Sequence, residues 1–310
     1  MANRSGDFFF ELTGFPGIPP QFDILVSFMM FILYMATLFS NGSVMVLITM
    51  KEKLHEPLYI MIANLAFSNL FYDTVTLPKF IAKYWIDGGR ISLLACIIQV
   101  YFVHMLPGID AFILMLMAFD RYVAICKPLR YSSIVTHRVS LAACGMMWLI
   151  IALCALMNLL ILKHSFCGPN KIVSFFCNSS TLILLACDEN NSTRATLLTT
   201  GLVLLFLPLT FIILSYAIIL SIITLNHSKG WRKALSTCTT HWIVMALFYV
   251  PRVFVYIANY ARLILSPDLS VFLIFLYSYL PHLANPLIYC LRTEEIKRTI
   301  NNIFKSKLGT

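Results

Sequence analysis

The chain has 310 residues, of which 59% are apolar and 12% are charged, and its mean hydropathy is +0.82. Soluble domains carry about 25% charged residues, so this composition excludes an ordinary soluble protein. The formal net charge is +9. Most of the Lys and Arg residues lie in segments between long apolar stretches, as in the cytoplasmic loops of membrane proteins, so the charge predicts no nucleic-acid partner.

Seven apolar stretches are long enough to cross a bilayer, which takes about 20 residues of helix. Each span is predicted to be helical, because backbone groups in lipid must be paired within the segment. We therefore predict an all-α membrane protein, a seven-transmembrane helix bundle that forms one domain over 1–310, with the lipid membrane as a partner. Short loops leave no room for a soluble catalytic domain, so no enzyme is predicted. The predicted helices are at about 24–50, 57–80, 91–123, 139–162, 195–226, 233–260 and 269–291.

The loops predict the orientation of the bundle. With the N-terminus outside, 14 of the 23 Lys and Arg residues face the cytoplasm, and loops rich in these residues stay in the cytosol. Residues 1–23 and the second loop at 163–194 are then extracellular. Asn3-Arg4-Ser5 is a predicted glycosylation site on that side, with further outer sequons at Asn178, Asn190 and Asn191.

The C-terminal segment 293–308 is predicted to form a short amphipathic helix on the cytoplasmic membrane surface. Ile296, Ile300, Ile303 and Phe304 share one face, as in helices that lie in the interface. A frayed basic tail is the alternative.

Four of the nine cysteines lie on the predicted outer side, where disulfides persist. They are Cys96, Cys167, Cys177 and Cys187. Four cysteines allow three pairings, and their positions do not choose among them.

The ten residues from Met117 to Cys126 read MAFDRYVAIC and close a long apolar stretch. An Asp-Arg pair is costly in lipid and is expected only where it meets water or has a function. The segment resembles the MAYDRYVAIC signature of the odorant receptors, a branch of the rhodopsin-like (class A) G-protein-coupled receptors. Further family-like segments are LHEPLY at 54–59, Ser215-Tyr216, KALSTC at 233–238 and PHLANPLIY at 281–289. Phe15-Pro16-Gly17-Ile18 resembles the class I, fish-like branch.

The resemblance implies a receptor that binds a small extracellular odorant inside the bundle. It further implies activation of a stimulatory, olfactory-type heterotrimeric G protein and cAMP signalling. The expected location is the plasma membrane, in the cilia of olfactory sensory neurons. The implied disulfides are Cys96–Cys177 and Cys167–Cys187. A non-olfactory chemoreceptor of the same family is one alternative. A transporter or channel is another, but it predicts inverted repeats, and we find no repeat.

Six residues are predicted to form the G-protein switch. They are Asp120, Arg121, Tyr122, Asn285, Pro286 and Tyr289. Arg121 carries a permanent charge that Asp120 can hold at rest. Pro286 removes a backbone hydrogen bond, so the seventh helix should bend there. The alternative is that the Asp-Arg pair only anchors the third helix at the interface.

Ligand contact is predicted for ten residues in the outer half of the bundle, where small-molecule sites are mostly apolar. They are His104, Met105, Gly108, Ile109, Phe112, Arg252, Val255, Tyr256, Asn259 and Tyr260. Simple helix packing is the alternative for this set. Arg252 could receive an anionic ligand group or pair internally with Asp110 or Asp73, and we favour the internal pair. His104 matches a pocket position of acid-sensing relatives, whereas Tyr260 stands where those relatives carry a basic residue.

A weak sodium site at Asp110 and Asn69 is also considered. The resemblance implies acids in the middle of the second and third helices, and Asn69 replaces the first of them. Asp73 lies four residues from Asn69 and shares its helix face. Losing one formal charge should weaken sodium binding. Alternatively, Asp110 and Asp73 are protonated or hydrogen-bonded polar residues.

Overall fold

The computed structural model describes residues 9–86, 88–167, 170–187, 191–226, 231–260 and 265–292. Within these ranges, seven helical segments are long and apolar enough to cross a membrane, which confirms the predicted bundle. We name the long helices α1 (Asp23–Met50), α2 (Pro57–Trp85), α3 (Leu93–Cys126), α4 (His137–Ala155), α5 (Asn191–Asn226), α6 (Trp231–Tyr260) and α7 (Pro267–Arg292). The predicted helix at 293–308 and the sequon at Asn3 lie outside the described residues.

Several helix starts follow from local capping. The Ser92 hydroxyl accepts a hydrogen bond from the Ala95 amide at 3.3 Å at the start of α3. Thr136 does the same for the Val139 amide at the start of α4. Each cap satisfies a backbone donor that the first turn of a helix leaves unpaired. α2 begins with Pro57, whose missing N–H costs nothing at that position. α4 continues as a 3-10 helix over Leu156–Lys163.

α3 runs through the middle of the bundle, and α1 lies at its edge. In the most apolar window of each span, 67% of residues are buried in α3 and 17% in α1. The exposed apolar side chains of α1 are therefore the surface that a bilayer would cover. The buried face of α3 includes Asp110 and Asp120, so both acids point into the protein.

The outer end of the bundle, which the Lys and Arg count predicts to be extracellular, carries a small sheet that the all-α prediction did not include. β1 (Phe9–Leu12) pairs antiparallel with β2 (Arg90–Ser92) and parallel with β3 (Lys171–Ile172). Phe10 lies opposite Ile91 in this register, and Leu12 lies opposite Ile172. Strands this short have too few residues to show an alternating pattern in the sequence. Their partners also come from distant loops, which a local pattern does not reveal.

The inward side chains of β1 seal the outer end. Phe10 and Leu12 are 1% and 0% exposed and pack in a cluster with the disulfide residues Cys96 and Cys177. The N-terminal segment is therefore part of the cover over the bundle.

Candidate ligand site and cytoplasmic switch

The second outer loop is tied to the helices by covalent and polar bonds. Cys96 is bonded to Cys177, and Cys167 to Cys187, which are the pairings that the resemblance implies. Gln99 supports the first bond, because its Oε1 accepts from the Cys177 amide at 2.7 Å and its Nε2 donates to the Val75 carbonyl at 2.8 Å. The loop is thereby joined to α2 and α3 as a lid over the bundle.

His104 contacts this lid directly. The Ser179 amide donates to His104 Nε2 at 3.3 Å, and the Ser179 hydroxyl lies 2.8 Å from the same nitrogen. A backbone N–H can only donate, so Nε2 is the acceptor and the ring carries its proton on Nδ1. The His104 side chain therefore couples the predicted ligand region of α3 to the lid.

The other predicted ligand residues on α3 face the bundle interior. Met105 and Ile109 are 7% and 0% exposed, and Phe112 is half-buried. A Cβ added at Gly108 would lie 2.8 Å from Ile151 Cγ2, so this glycine allows α3 and α4 to approach closely. Contact of these residues with a ligand stays a prediction.

On α6, Val255 and Tyr256 are half-buried. A Cβ added at Gly201 of α5 would lie 2.7 Å from the Tyr256 hydroxyl, which shows how closely α5 and α6 pack at this depth. The side chains of Asn259 and Tyr260 lie outside those that the structure describes.

Arg252 is buried but does not form the ion pair that we favoured from the sequence. Its Nη1 donates to the Phe248 carbonyl at 3.0 Å, and its guanidinium carbon lies 3.8 Å from the centre of the Phe248 ring. The Tyr277 ring centre is 5.2 Å away. Within the described part of the chain, the ion pairs within 4.0 Å join Arg121 to Asp120 and His282 to Asp73. Asp73 is thus engaged by α7 instead.

Polar side chains meet at the centre of the bundle, between α1, α2 and α7. His282 Nδ1 lies 2.7 Å from Asp73 Oδ1, and both side chains are buried. Asn41 donates to the His282 carbonyl at 3.0 Å, and Asn69 donates to Asn41 Oδ1 at 3.2 Å. Pro286 has no N–H to give to the His282 carbonyl four residues earlier, so Asn41 supplies the missing donor.

His282 was not predicted from the sequence as a partner of Asp73. The available signal was a titratable side chain inside an apolar span, which is a functional candidate by default.

At the opposite, cytoplasmic end, Asp120 holds Arg121. Arg121 Nη2 lies 3.2 Å from Asp120 Oδ2, and the Tyr131 hydroxyl donates to Asp120 Oδ1 at 2.7 Å. Tyr131 belongs to a one-turn helix at Tyr131–Ile134. Burial, and then the neighbouring Asp120 carboxylate, raises the pKa of Tyr131, so its hydroxyl keeps the proton that it donates. Tyr122, also predicted for the switch, is half-buried.

Two further contacts connect α3, α5, α6 and α7 near this end. The Tyr216 hydroxyl lies 2.5 Å from His241 Nδ1, and the Tyr289 hydroxyl points at Met117 Sδ at 3.9 Å. Asn285, Pro286 and Tyr289 line a narrow gap beside α1 and α2 that has no room for a water molecule. Tyr131 and His241 were not predicted as switch residues. Their polar contacts, with Asp120 and Tyr216, form only when the helices pack together.

Seven membrane-spanning helices with a disulfide-tied lid at one end and an Asp-Arg pair at the other give the chain a rhodopsin-like fold. The crystal structure of squid rhodopsin shares this fold, with a TM-score of 0.75, 16% identity, and coverage of 96% of this chain and 91% of that chain. The olfactory receptor family model matches residues 30–307. Human olfactory receptor 6P1 is 34% identical over 301 residues, covering 96% of this chain and 94% of that protein. Mouse olfactory receptor 1E16 is 33% identical over 297 residues, covering 95% and 94%.

The chain belongs to the olfactory receptor family. Membership supports an odorant-sensing receptor of the G-protein-coupled class, a multi-pass membrane protein that signals and is not an enzyme.

Proposed function

We propose that this receptor binds a small extracellular odorant in the outer half of the bundle and activates a stimulatory, olfactory-type G protein, which raises cAMP. Its expected location is the ciliary plasma membrane of olfactory sensory neurons. Phe15–Ile18 supports placement in the class I, fish-like branch. The observation that carries the signalling role is the Asp120–Arg121 ion pair with its Tyr131 hydrogen bond. This arrangement restrains a permanent cation at the cytoplasmic end.

The ligand acts by shifting a balance between resting and active arrangements, because it can favour only the state that it binds more tightly. The predicted ligand residues lie on α3 and α6. His104 of α3 contacts the lid and Tyr256 of α6 packs against α5, so we expect such a shift to move the two sets relative to one another. Release of Arg121 from Asp120 would then open the cytoplasmic face to the G protein. The receptor promotes nucleotide exchange on its partner by this change of shape.

A panel of odorants tests the proposal in cells that express the receptor with the olfactory G protein. We expect at least one small molecule to raise cAMP, and we expect no response in cells that lack the G protein. Receptor at the cell surface with responses carried only by another G-protein class would contradict the proposed coupling. Ligand-dependent current without any G protein would favour a channel. Transcripts confined to tissues other than the olfactory epithelium would favour the non-olfactory chemoreceptor.

Arg252 is proposed to bind an anionic group of the ligand. Arg252 is 6% exposed, and within the described residues its hydrogen bond goes to the Phe248 carbonyl. A guanidinium has five N–H donors, so several remain for a carboxylate, sulfonate or phosphate, which it can bind in two-pronged fashion. The Phe248 ring holds the group in place by stacking.

Arg252→Gln should therefore reduce potency about 10- to 100-fold for anionic agonists, the range expected for losing a charged hydrogen bond. Potency for neutral agonists should change little. Because Arg252 also interacts electrostatically with Asp110, surface receptor is measured on the same cells, and acid and ester potencies are compared on the same variant. Dose–response curves for matched acid and ester odorants measure the effect. Arg252→Lys keeps the positive charge but lacks the paired N–H donors of a guanidinium. Its potency for anionic agonists should lie between those of the unsubstituted receptor and of Arg252→Gln. Equal losses of potency for acids and esters would show that Arg252 does not bind an anionic group of the ligand.

A further inference from the structure

Residues 13–17, which follow β1 and which we call the strap, cross the outer end of the bundle and contact the lid, α2 and α7. On one side the strap is bound to the lid. The Thr13 amide donates to the Ile172 carbonyl at 2.9 Å, and the Gly14 amide donates to the Ser174 carbonyl at 3.3 Å. These bonds continue the pairing of β1 with β3, so the strap and the lid form one unit.

The same part of the strap is fixed to α2. Lys83 Nζ donates to the Thr13 carbonyl at 2.9 Å. Gly14 has a φ of +67°, a left-handed conformation that glycine adopts without strain. A Cβ added at Gly14 would lie 2.9 Å from the Phe80 ring. The strap therefore turns against α2 at a position that requires glycine.

The attachment of the strap to α7 is weaker. Among the described residues, the hydrogen bond that joins them runs from the Gly17 amide to Asp268 Oδ1, at 2.9 Å. Gly17 is exposed and Asp268 is half-buried, so water competes for both groups. Local opening begins where hydrogen bonds are few and solvent-exposed. We therefore expect the strap to open first at α7, while its other end stays on the lid and α2.

Two residues before the Gly17 contact, the strap adds a ring to a layer of aromatic side chains. Phe15 stands edge-on to Phe175 of the lid, with ring centres 5.1 Å apart. Phe175 is 0% exposed, and its ring centre lies 4.8 Å from that of Phe80 on α2 and 6.2 Å from that of Phe275 on α7. Opening at α7 would lift Phe15 from this layer and uncover an apolar path between the lid and α7.

We propose that the strap is the gate through which small molecules reach the outer half of the bundle, and that Asp268 is its latch. The inference rests on the proposed ligand site in that half. A gate of this kind sets how fast a molecule enters and leaves, and the latch acts without touching the molecule. Asp268 is thus a positioning residue, which holds the strap closed over the aromatic layer.

Access of a thiol reagent to a cysteine beneath the lid tests the proposal without any odorant. Met105→Cys supplies the reporter, because Met105 is 7% exposed and follows His104, which contacts the lid. The membrane-impermeant reagent sulfonatoethyl methanethiosulfonate is added to intact cells, and mass spectrometry of the peptide that contains residue 105 gives the modification rate.

Asp268→Ala added to the reporter receptor should raise this rate about 10-fold, the lower end of the range for losing a hydrogen bond to a charged group. Asp268→Asn keeps an oxygen acceptor, so its rate should lie closer to that of the reporter receptor. An equal rate with and without Asp268→Ala would overturn the proposal.

A covalent latch gives the opposite test. A Cβ added at Gly17 would lie 2.9 Å from Asp268 Cγ, so Gly17→Cys combined with Asp268→Cys brings two thiols within reach of a disulfide. This pair should abolish most modification of residue 105. Gly17→Cys alone should speed it, because the added side chain displaces the Asp268 carboxylate.

If Asp268→Ala does not reach the cell surface, the paired cysteines decide, and modification as fast as in the reporter receptor would overturn the gate. Failure of every odorant to raise cAMP would contradict the proposed function instead, since these rates are measured without an odorant.

Discussion

Replacing Arg121 with Ala is expected to abolish odorant-stimulated cAMP while the receptor still reaches the cell surface. The substitution removes the charge that Asp120 restrains at 3.2 Å, which is the group proposed to be released on activation. Asp120 keeps its hydrogen bond from the Tyr131 hydroxyl, so the remaining carboxylate is not left without a partner. Surface labelling and cAMP measured on the same cells separate loss of signalling from loss of receptor.

Arg138→Ala is the matched control. Arg138 is an exposed arginine near the same face, in the first turn of α4, and its removal should leave signalling near that of the unsubstituted receptor. Full odorant response by Arg121→Ala would assign the Asp-Arg pair to anchoring of α3 alone. Asp120→Asn provides the opposite test, because weakening the restraint on Arg121 should raise cAMP in the absence of odorant.

Replacing Cys96 or Cys177 with Ser should block maturation of the receptor, and each single substitution should have nearly the same effect. Loss of a native disulfide typically costs about 2–5 kcal/mol, and this bond joins residues 81 positions apart in the sequence. It also holds the Cys177 amide against Gln99, at 2.7 Å. The fraction of receptor at the surface, relative to total receptor, measures the loss.

The double substitution Cys96→Ser with Cys177→Ser should be no worse than either single one, because both remove the same bond. Additive losses would show that the two cysteines act separately. Cys154→Ser is the control, since Cys154 is a free thiol and its replacement should leave maturation intact. In each variant the Cys167–Cys187 bond should persist, and peptide mapping under non-reducing conditions would detect it.

The membrane spans and the receptor class could be predicted from the sequence because they depend on local properties. A stretch of about 20 apolar residues is unstable in water wherever it occurs in a chain, so hydropathy finds each helix without knowledge of its neighbours. The segment Met117–Cys126 is equally local: ten contiguous residues carry the resemblance. The Asp120–Arg121 pair could be anticipated for the same reason, since its members are adjacent.

Contacts between distant segments required the packed structure. Asp73 and His282 are separated by 209 positions, and the paired strands Phe9–Leu12 and Lys171–Ile172 come from the N-terminal segment and the second outer loop. From the sequence, Arg252 was expected to pair with Asp110 or Asp73, because opposite charges in lipid are expected to pair. In the structure Asp73 pairs with His282, and Arg252 donates to the Phe248 carbonyl. Which of several polar groups meet inside a bundle depends on the rotation and depth of each helix, and these follow from packing over its whole buried face rather than from the residues beside the charge.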